Sequence, residues 1–460
     1  MRQGEKCVRG EVTAFLSLIF VLLLSFVGAM VESAQIQVMK NYRRADVDKA
    51  IYSAFGEYRS ELLEEYELFA IEGSYETGQF SEENLITRLN HYGAGALRHE
   101  VTDVQLLTDN QGYPFREQAV AYMKDYSGID LAADLIGFSS KWEEQEIEAG
   151  EYKETSRQTE EELNATLSEN EAALSTEDNP LAAVSAAKET PLLAMILPES
   201  MTLSGKTIPL DSVVSQRSLQ TGRGSFQAES NTDGTVGNLL FGEYLMQKFS
   251  LATKPNEEGV LSYELEYLIA GKGSDKDNLE SVAARLLLLR MGANHLYLLS
   301  DSTKMAEAEA MAAGLATLAA LPIATEIVKQ ALLAAWAYGE SIMDLRSLLQ
   351  DKKVPLVKTG ESWQLELSSL LKLGTPEDQR EGSDTGDGLP YKEYLRMMLF
   401  LQNKGQCSMR ALDLIEQNMQ CAKGLGFFRA DNCVTKLNIT STAELRRGIT
   451  YEFPTYFGYK

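Results

Sequence analysis

Histidine is nearly absent from this chain: His91, His99 and His295 are the only three in 460 residues. None stands in an H-E-x-x-H or other paired spacing, so general-base or zinc chemistry on imidazole has little to work with. Cysteine is almost as scarce. Four residues make no disulfide scaffold, and the lack of any C-x-x-C pair argues against a zinc site. Cys7 stands apart, whereas Cys407, Cys421 and Cys433 fall in the last 54 residues, where they supply either one disulfide with a thiol left over or buried free thiols. Positive charge is short as well. Against 67 acidic residues stand 43 basic ones, and a net charge of -24 speaks against a broad basic surface for nucleic acid or anionic lipid.

The familiar catalytic motifs are missing too. No G-x-S-x-G elbow occurs. Ser204 to Thr207 reads "SGKT", but a phosphate loop needs a glycine five residues before Gly205, and Ser200 stands there. "GKGSDKDN" clusters Asp275, Asp277 and Asn278 without the sixth-position Gly and distal Glu of a calcium loop, so a turn ending in a helix cap explains it better. With so many acids, any chosen pair of carboxylates is uninformative. The expectation is therefore no catalytic, cofactor-binding or metal-ligating residue, no cofactor, and no enzyme.

What is present begins with Val12 to Val31, 20 consecutive uncharged residues. At about 1.5 Å each in a helix they cover roughly the 30 Å of a bilayer's hydrocarbon core. A secretory signal is the rival reading, with Arg2, Lys6 and Arg9 as its basic region and Val27-Gly28-Ala29 as a small-residue cleavage site. Retention is favoured because the run exceeds the roughly 7 to 15 residues of a signal core and helical patterning continues past it. Lys40, Arg43, Arg44 and Lys49 follow closely, so the positive-inside rule alone barely orients the span. The short tail 1–11 is placed in the cytoplasm because an acidic body of over 400 residues follows the anchor, 12–31. Along its outer half and just past its end, Ser25, Ala29 and Ser33 make a small-xxx-small row, a candidate helix–helix interface for another membrane subunit.

Beyond the span, Ile51, Phe55, Tyr58, Leu62 and Tyr66 recur at steps of three and four, one stripe of a helix. Gly10, the apolar span, Glu32 and "RRADVDKAIYSAF" together resemble the start of TadE/TadG-like proteins of tight-adherence (Flp-type) pili. That resemblance implies a pseudopilin-like structural or assembly component, extracytoplasmic, working with other pilin-like membrane subunits. One departure is that the fifth residue after Gly10 is Phe15, where pilin processing commonly wants Glu. The blocks "EYRSELLEEYELFAIE", "LLFGEYLMQKFS", "YELEYLIAGKGSDKDNLESV" and "LPYKEYLRMMLFL" resemble an uncharacterised family of clostridial-type membrane-anchored proteins, a domain of unknown function. The runner-up function is an anchored binding domain or a carboxylate-based hydrolase.

The body reads as α+β. Ser81 is placed as an N-cap ahead of "LITRLNHY", and "HEVTDVQLL" alternates as a strand. Lys141 to Asp178 holds 13 acidic and 3 basic residues, which suggests a solvated helix or flexible insertion. "YELEYLI" alternates apolar and acidic residues, a helix starts near Ser274 or Asp275, and Met305 to Leu349 is nearly continuous helix broken at Pro322. The uncharged run Ala310 to Thr325 is read as a core helix and not a second span. "SWQLELSSL" is expected as a strand, "GTPEDQREGSDTGDG" as a loop, and "CVTKLNITSTAEL" with "GITYEFPTYF" as paired strands. The segments are thus 32–140 (pseudopilin-like helix and first α+β part), 141–190 (acidic linker or insertion) and 191–460 (main body).

Overall fold

The computed structural model describes residues 9–127, 130–227, 232–378 and 380–459. Its first element, α1 (Arg9–Phe55), is a 47-residue helix, about 70 Å long at 1.5 Å per residue. It is the one helix among the described residues long and apolar enough to cross a membrane. The apolar half stands clear of the protein, with Phe15, Leu22 and Phe26 each more than half exposed. The other half buries Val47, Ala50, Ile51, Ala54 and Phe55. The expected stripe does not stay on one helix, because Gly56, a poor helix former, ends α1. It is carried over to α2 (Ser60–Tyr66), where Leu62 and Tyr66 are buried while Tyr58 between the helices is 36% exposed.

Next come β1 (Ile71–Glu72), α3 (Glu82–Leu89) and β2 (Arg98–Leu106). Ser81 occupies the N-cap position of α3, as expected, but makes no side-chain cap bond. A helical body follows: α4 (Asp109–Ser127), α5 (Asp130–Glu169), α6 (Pro180–Glu189), α7 (Leu192–Ile196), α8 (Thr235–Lys248), α9 (Glu264–Ala270), α10 (Asp275–Ser300), α11 (Ser302–Leu318), α12 (Thr325–Leu349), α13 (Tyr391–Leu401) and α14 (Lys404–Cys421). The chain closes with β3 (Cys433–Glu444) and β4 (Thr450–Gly458).

These strands form one antiparallel sheet. β2 runs along one edge of β3, from Arg98 opposite Thr442 to Leu106 opposite Val434. β4 and the short β1 share the other edge, at residues 436–444 and 433–434 of β3. Val101, Val104, Leu437, Ile439 and Phe453 of the sheet pack with Ile51 and Phe55 of α1 into one apolar core. Tyr459 closes it, donating its hydroxyl to the Phe55 carbonyl. Because β2 and β3 are neighbours in space, the whole helical body is inserted between two adjacent strands. The last strands therefore pack with α1 and β2 rather than within the helical body.

The body gives form to two segments and corrects one expected strand. Of the two readings of the acidic stretch from Lys141, the structure takes the helix: α5 packs on α10 and α12 and buries Trp142, Gln145, Ala149 and Tyr152 at steps of three and four. Gly292 of α10 lets the helices meet, for a Cβ there would lie 3.0 Å from the Ala149 Cα. "YELEYLI" forms α9, and its acids are buried: Glu264 accepts from the Ser250 amide at 3.0 Å and Glu266 from the Ala252 amide at 2.9 Å. "SWQLELSSL" is an irregular segment ending in a 3-10 turn, Leu367–Lys372, with the Gln364 and Leu365 amides donated to Glu340. In contrast, α10 starts where expected, with Ser274 accepting from the Asp277 amide at 3.1 Å.

Candidate functional site

Where the insert meets the sheet, a cleft of about 910 Å³ opens between the end of β2, the start of α4, the loop 214–226 and the start of α14. The loop is tied down from behind. Asp413 of α14 accepts from the Ser215 amide and hydroxyl, each at 2.7 Å, and Asp431 from the Gln220 amide at 2.9 Å. Asp109 accepts from the Gly222 amide at 2.9 Å and the Leu106 amide at 2.7 Å. Only glycine fits at Gly222, since a Cβ would meet the Asp109 carboxylate and the Val104 carbonyl at 2.3 Å. Arg217 reaches the other way and is buried against Glu416 and Asp431.

With its amides engaged, the wall presents side chains. Asn110, Gln111, Gln216, Gln220, Asn403 and Gln406 all line the cleft and are exposed. Asn403 caps α14 through the Gln406 amide, and the other five carboxamides make no side-chain hydrogen bond among the described residues. Asn110 and Gln111 also hold left-handed backbone (φ 49° and 58°) ahead of Gly112, a conformation that disfavours side chains and clusters at functional positions. The lining contains one acid, Asp109, whose carboxyl burial raises above the ordinary carboxylate range against the pull of its two amide donors. Arg217, Arg223 and Arg410 line the cleft too, but their guanidinium groups are engaged by Glu416 and Asp431, by Glu82, and by the Leu268 and Ile269 carbonyls, so the side chains left to face a ligand are mainly carboxamides, which both donate and accept. Sequence reasoning missed it because its three walls lie far apart in the chain.

The residues singled out from sequence lie elsewhere. Ser25, Ala29 and Ser33 are exposed on the projecting half of α1, with the Ser25 hydroxyl donating to the Val21 carbonyl at 2.8 Å. Cys407, Cys421 and Cys433 are free, the first and last buried and Cys421 exposed. Cys407 and Cys421 lie at opposite ends of α14, about 21 Å apart by helical rise, beyond the reach of a disulfide. Cys7 lies outside the described residues. His99 is held between the Ser441 hydroxyl and the Ala94 carbonyl, and burial lowers its pKa and that of His295.

The two rejected motifs meet as a brace. Lys206 donates to the carbonyls of Asn256, Glu257 and Gly259 at 2.8 to 3.0 Å, while Asp275 accepts from Ser204, Ser262 and Tyr263. Their charges are consumed by the fold. Among the described residues no cluster of His, Cys, Asp and Glu is arranged to hold a metal ion.

The model of a family of unknown function (DUF5702) matches residues 170–445, and the chain belongs to that family. The match runs from the end of α5 to the β3–β4 turn and leaves α1 outside it. No curated protein and no solved structure matches the chain.

Proposed function

We propose that this DUF5702 protein is a membrane-anchored, extracytoplasmic structural component that assembles with other pilin-like membrane subunits. Its setting would be a tight-adherence (Flp-type) pilus or a related secretion apparatus, with the TadE/TadG-like start as the assembly helix. The observation that carries this reading is the path of α1, half free and apolar, half packed on an antiparallel sheet. A cleaved signal would have no reason to continue unbroken into the core of the folded body. Ser25, Ala29 and Ser33 face no other part of the chain, and small residues let membrane helices approach closely where hydrophobicity cannot drive association. The test is co-purification of membrane partners: Ala29→Leu should weaken it and Leu23→Ala should not. Protein isolated from membranes with Met30 as its first residue would overturn the reading.

The cleft favours a second reading, an anchored binding domain for a neutral polar ligand such as a glycan. A carboxylate hydrolase needs two free carboxyl groups facing one bond, and the lining of this cleft supplies one, already bonded to two amides. Titrating the full-length protein with soluble cell-wall oligosaccharides tests binding, and Gln216→Ala with Gln220→Ala should abolish any saturable signal.

A further inference from the structure

We infer that the groove between α1 and the β3–β4 turn holds the phosphate head group of an anionic phospholipid from the outer leaflet. The inference rests on α1 being a retained span. Glu32 is the first ionisable residue after the run Val12 to Val31, so its carboxylate marks the level where hydrocarbon gives way to head groups. Arg447, at the tip of the turn, pairs with that carboxylate at 2.8 Å, and Arg446 donates to Gln35 one helical turn further on at 3.4 Å. The hairpin tip is thereby pinned at the membrane surface.

Between tip and helix lies a groove of about 670 Å³ with Val31, Ile36, Met39 and Leu445 among its apolar lining and the two arginines at its rim. Arg447 is 76% exposed, and each guanidinium keeps further N–H donors free after its contact with α1. A planar fork of donors matches phosphate oxygens. Lys40 adds a third cation, its ammonium 4.9 Å from the centre of the Tyr451 ring on the same hairpin. Backbone geometry points the same way. Arg447 takes φ 60° in the turn before Gly448, a conformation usually left to glycine or asparagine, so a guanidinium is kept at the tip against local preference. In a chain of net charge -24, this local excess of cations opposes the repulsion between an acidic body and an anionic leaflet. The apolar lining continues the surface of the span, which places an acyl chain beside Val31 and Gly28.

The test uses full-length protein in nanodiscs of phosphatidylcholine with or without phosphatidylglycerol, released for native mass spectrometry. One phosphatidylglycerol should remain bound in preference to phosphatidylcholine. Arg446→Gln with Arg447→Gln should reduce its retention by about thirtyfold, the combined effect of two interfacial charges. Equal retention of the two lipids, unchanged retention in the double variant, or displacement of the lipid by millimolar inorganic phosphate would each overturn the proposal. Failure to insert into nanodiscs at all would overturn the anchor as well, which separates the two readings.

Discussion

The two parts of the molecule are stabilised in opposite ways. Around α1 and the sheet, the interior is aliphatic and aromatic, with Ile51, Phe55, Val101, Ile439 and Phe453 in contact; the Glu57–Arg88 and Glu32–Arg447 pairs are open to solvent, and the one buried pair of the strands among the described residues, Lys436 with Glu117, lies where β3 meets α4. The inserted body buries charge. Lys358, Glu340 and Asp344 are fully enclosed, with the ammonium 2.5 Å from Glu340 and 2.7 Å from Asp344, and Arg290 completes a neutral quartet 2.9 Å from Asp344. An apolar core tolerates change that conserves volume. A buried ionic network does not, because removing one member leaves its partner charged and without water.

That contrast sets the largest expected effect. Lys358→Met keeps most of the side-chain volume yet should cost about 3 to 5 kcal/mol in denaturant unfolding, whereas Ile51→Leu in the sheet unit should cost less than about 1.5 kcal/mol. Adding Glu340→Gln to Lys358→Met restores neutrality and should recover part of the loss. If the double variant is no more stable than the single one, the damage comes from packing and the contrast collapses.

Acidity should separate the two parts next. Burial pushes Glu266 and Glu416 up to about 7 and Asp413 up to about 6, all three in the body. Each binds its proton more tightly folded than unfolded, so its contribution is complete below the unfolded value near 4.5 or 3.8 and is lost as pH rises through 6 to 7. His99 and His295 oppose this. Their lowered values mean that the unfolded chain takes up protons first as pH falls through 6.5. Thermal melting between pH 5 and 8 should therefore rise on acidification less steeply in Glu266→Gln than in the parent protein. An identical profile would remove Glu266 from the account.

Thiol reactivity gives a smaller, local measure. Cys421 ends α14 exposed, while burial raises the Cys407 and Cys433 thiols above their ordinary value. A membrane-impermeant maleimide on intact, wall-stripped cells should label Cys421 at once and the other two only after denaturation. Labelling only in lysed cells would invert the orientation of α1.

Local chemistry in the sequence foretold much of the sheet unit and little of the body. Alternation located β2, and the hairpin pairing of β3 with β4 followed from adjacency. In the body the same period says less: the acids of "YELEYLI" alternate with apolar residues yet are buried in a helix, because Ser250 and Ala252 from the preceding loop and Tyr391 and Asn418 from far along the chain supply donors. The inward face of α5 was hidden for a related reason. Gln145 and Ala149 carry little hydrophobic signal, and an acidic surface outweighs them in composition. The cleft depends on contacts across about 100 to 300 residues of chain, which no local pattern encodes.

The smallest prediction compares two helix starts that look alike in sequence. Ser81 and Ser274 both precede an acid-rich first turn, and both sit at N-cap positions with extended backbone. Ser274 accepts from the Asp277 amide at 3.1 Å and donates its own hydroxyl to the Asp277 carboxylate at 2.7 Å, satisfying a donor that the first turn otherwise leaves open. Ser81 makes no such bond, and its carbonyl alone engages the Asn84 amide at 3.1 Å. Ser274→Ala should thus cost about 1 kcal/mol and Ser81→Ala only a few tenths, measured by denaturant midpoints at constant slope. Equal losses would mean that Ser81 caps α3 in solution after all, and that the sheet unit relies on polar contacts more than its apolar core suggests.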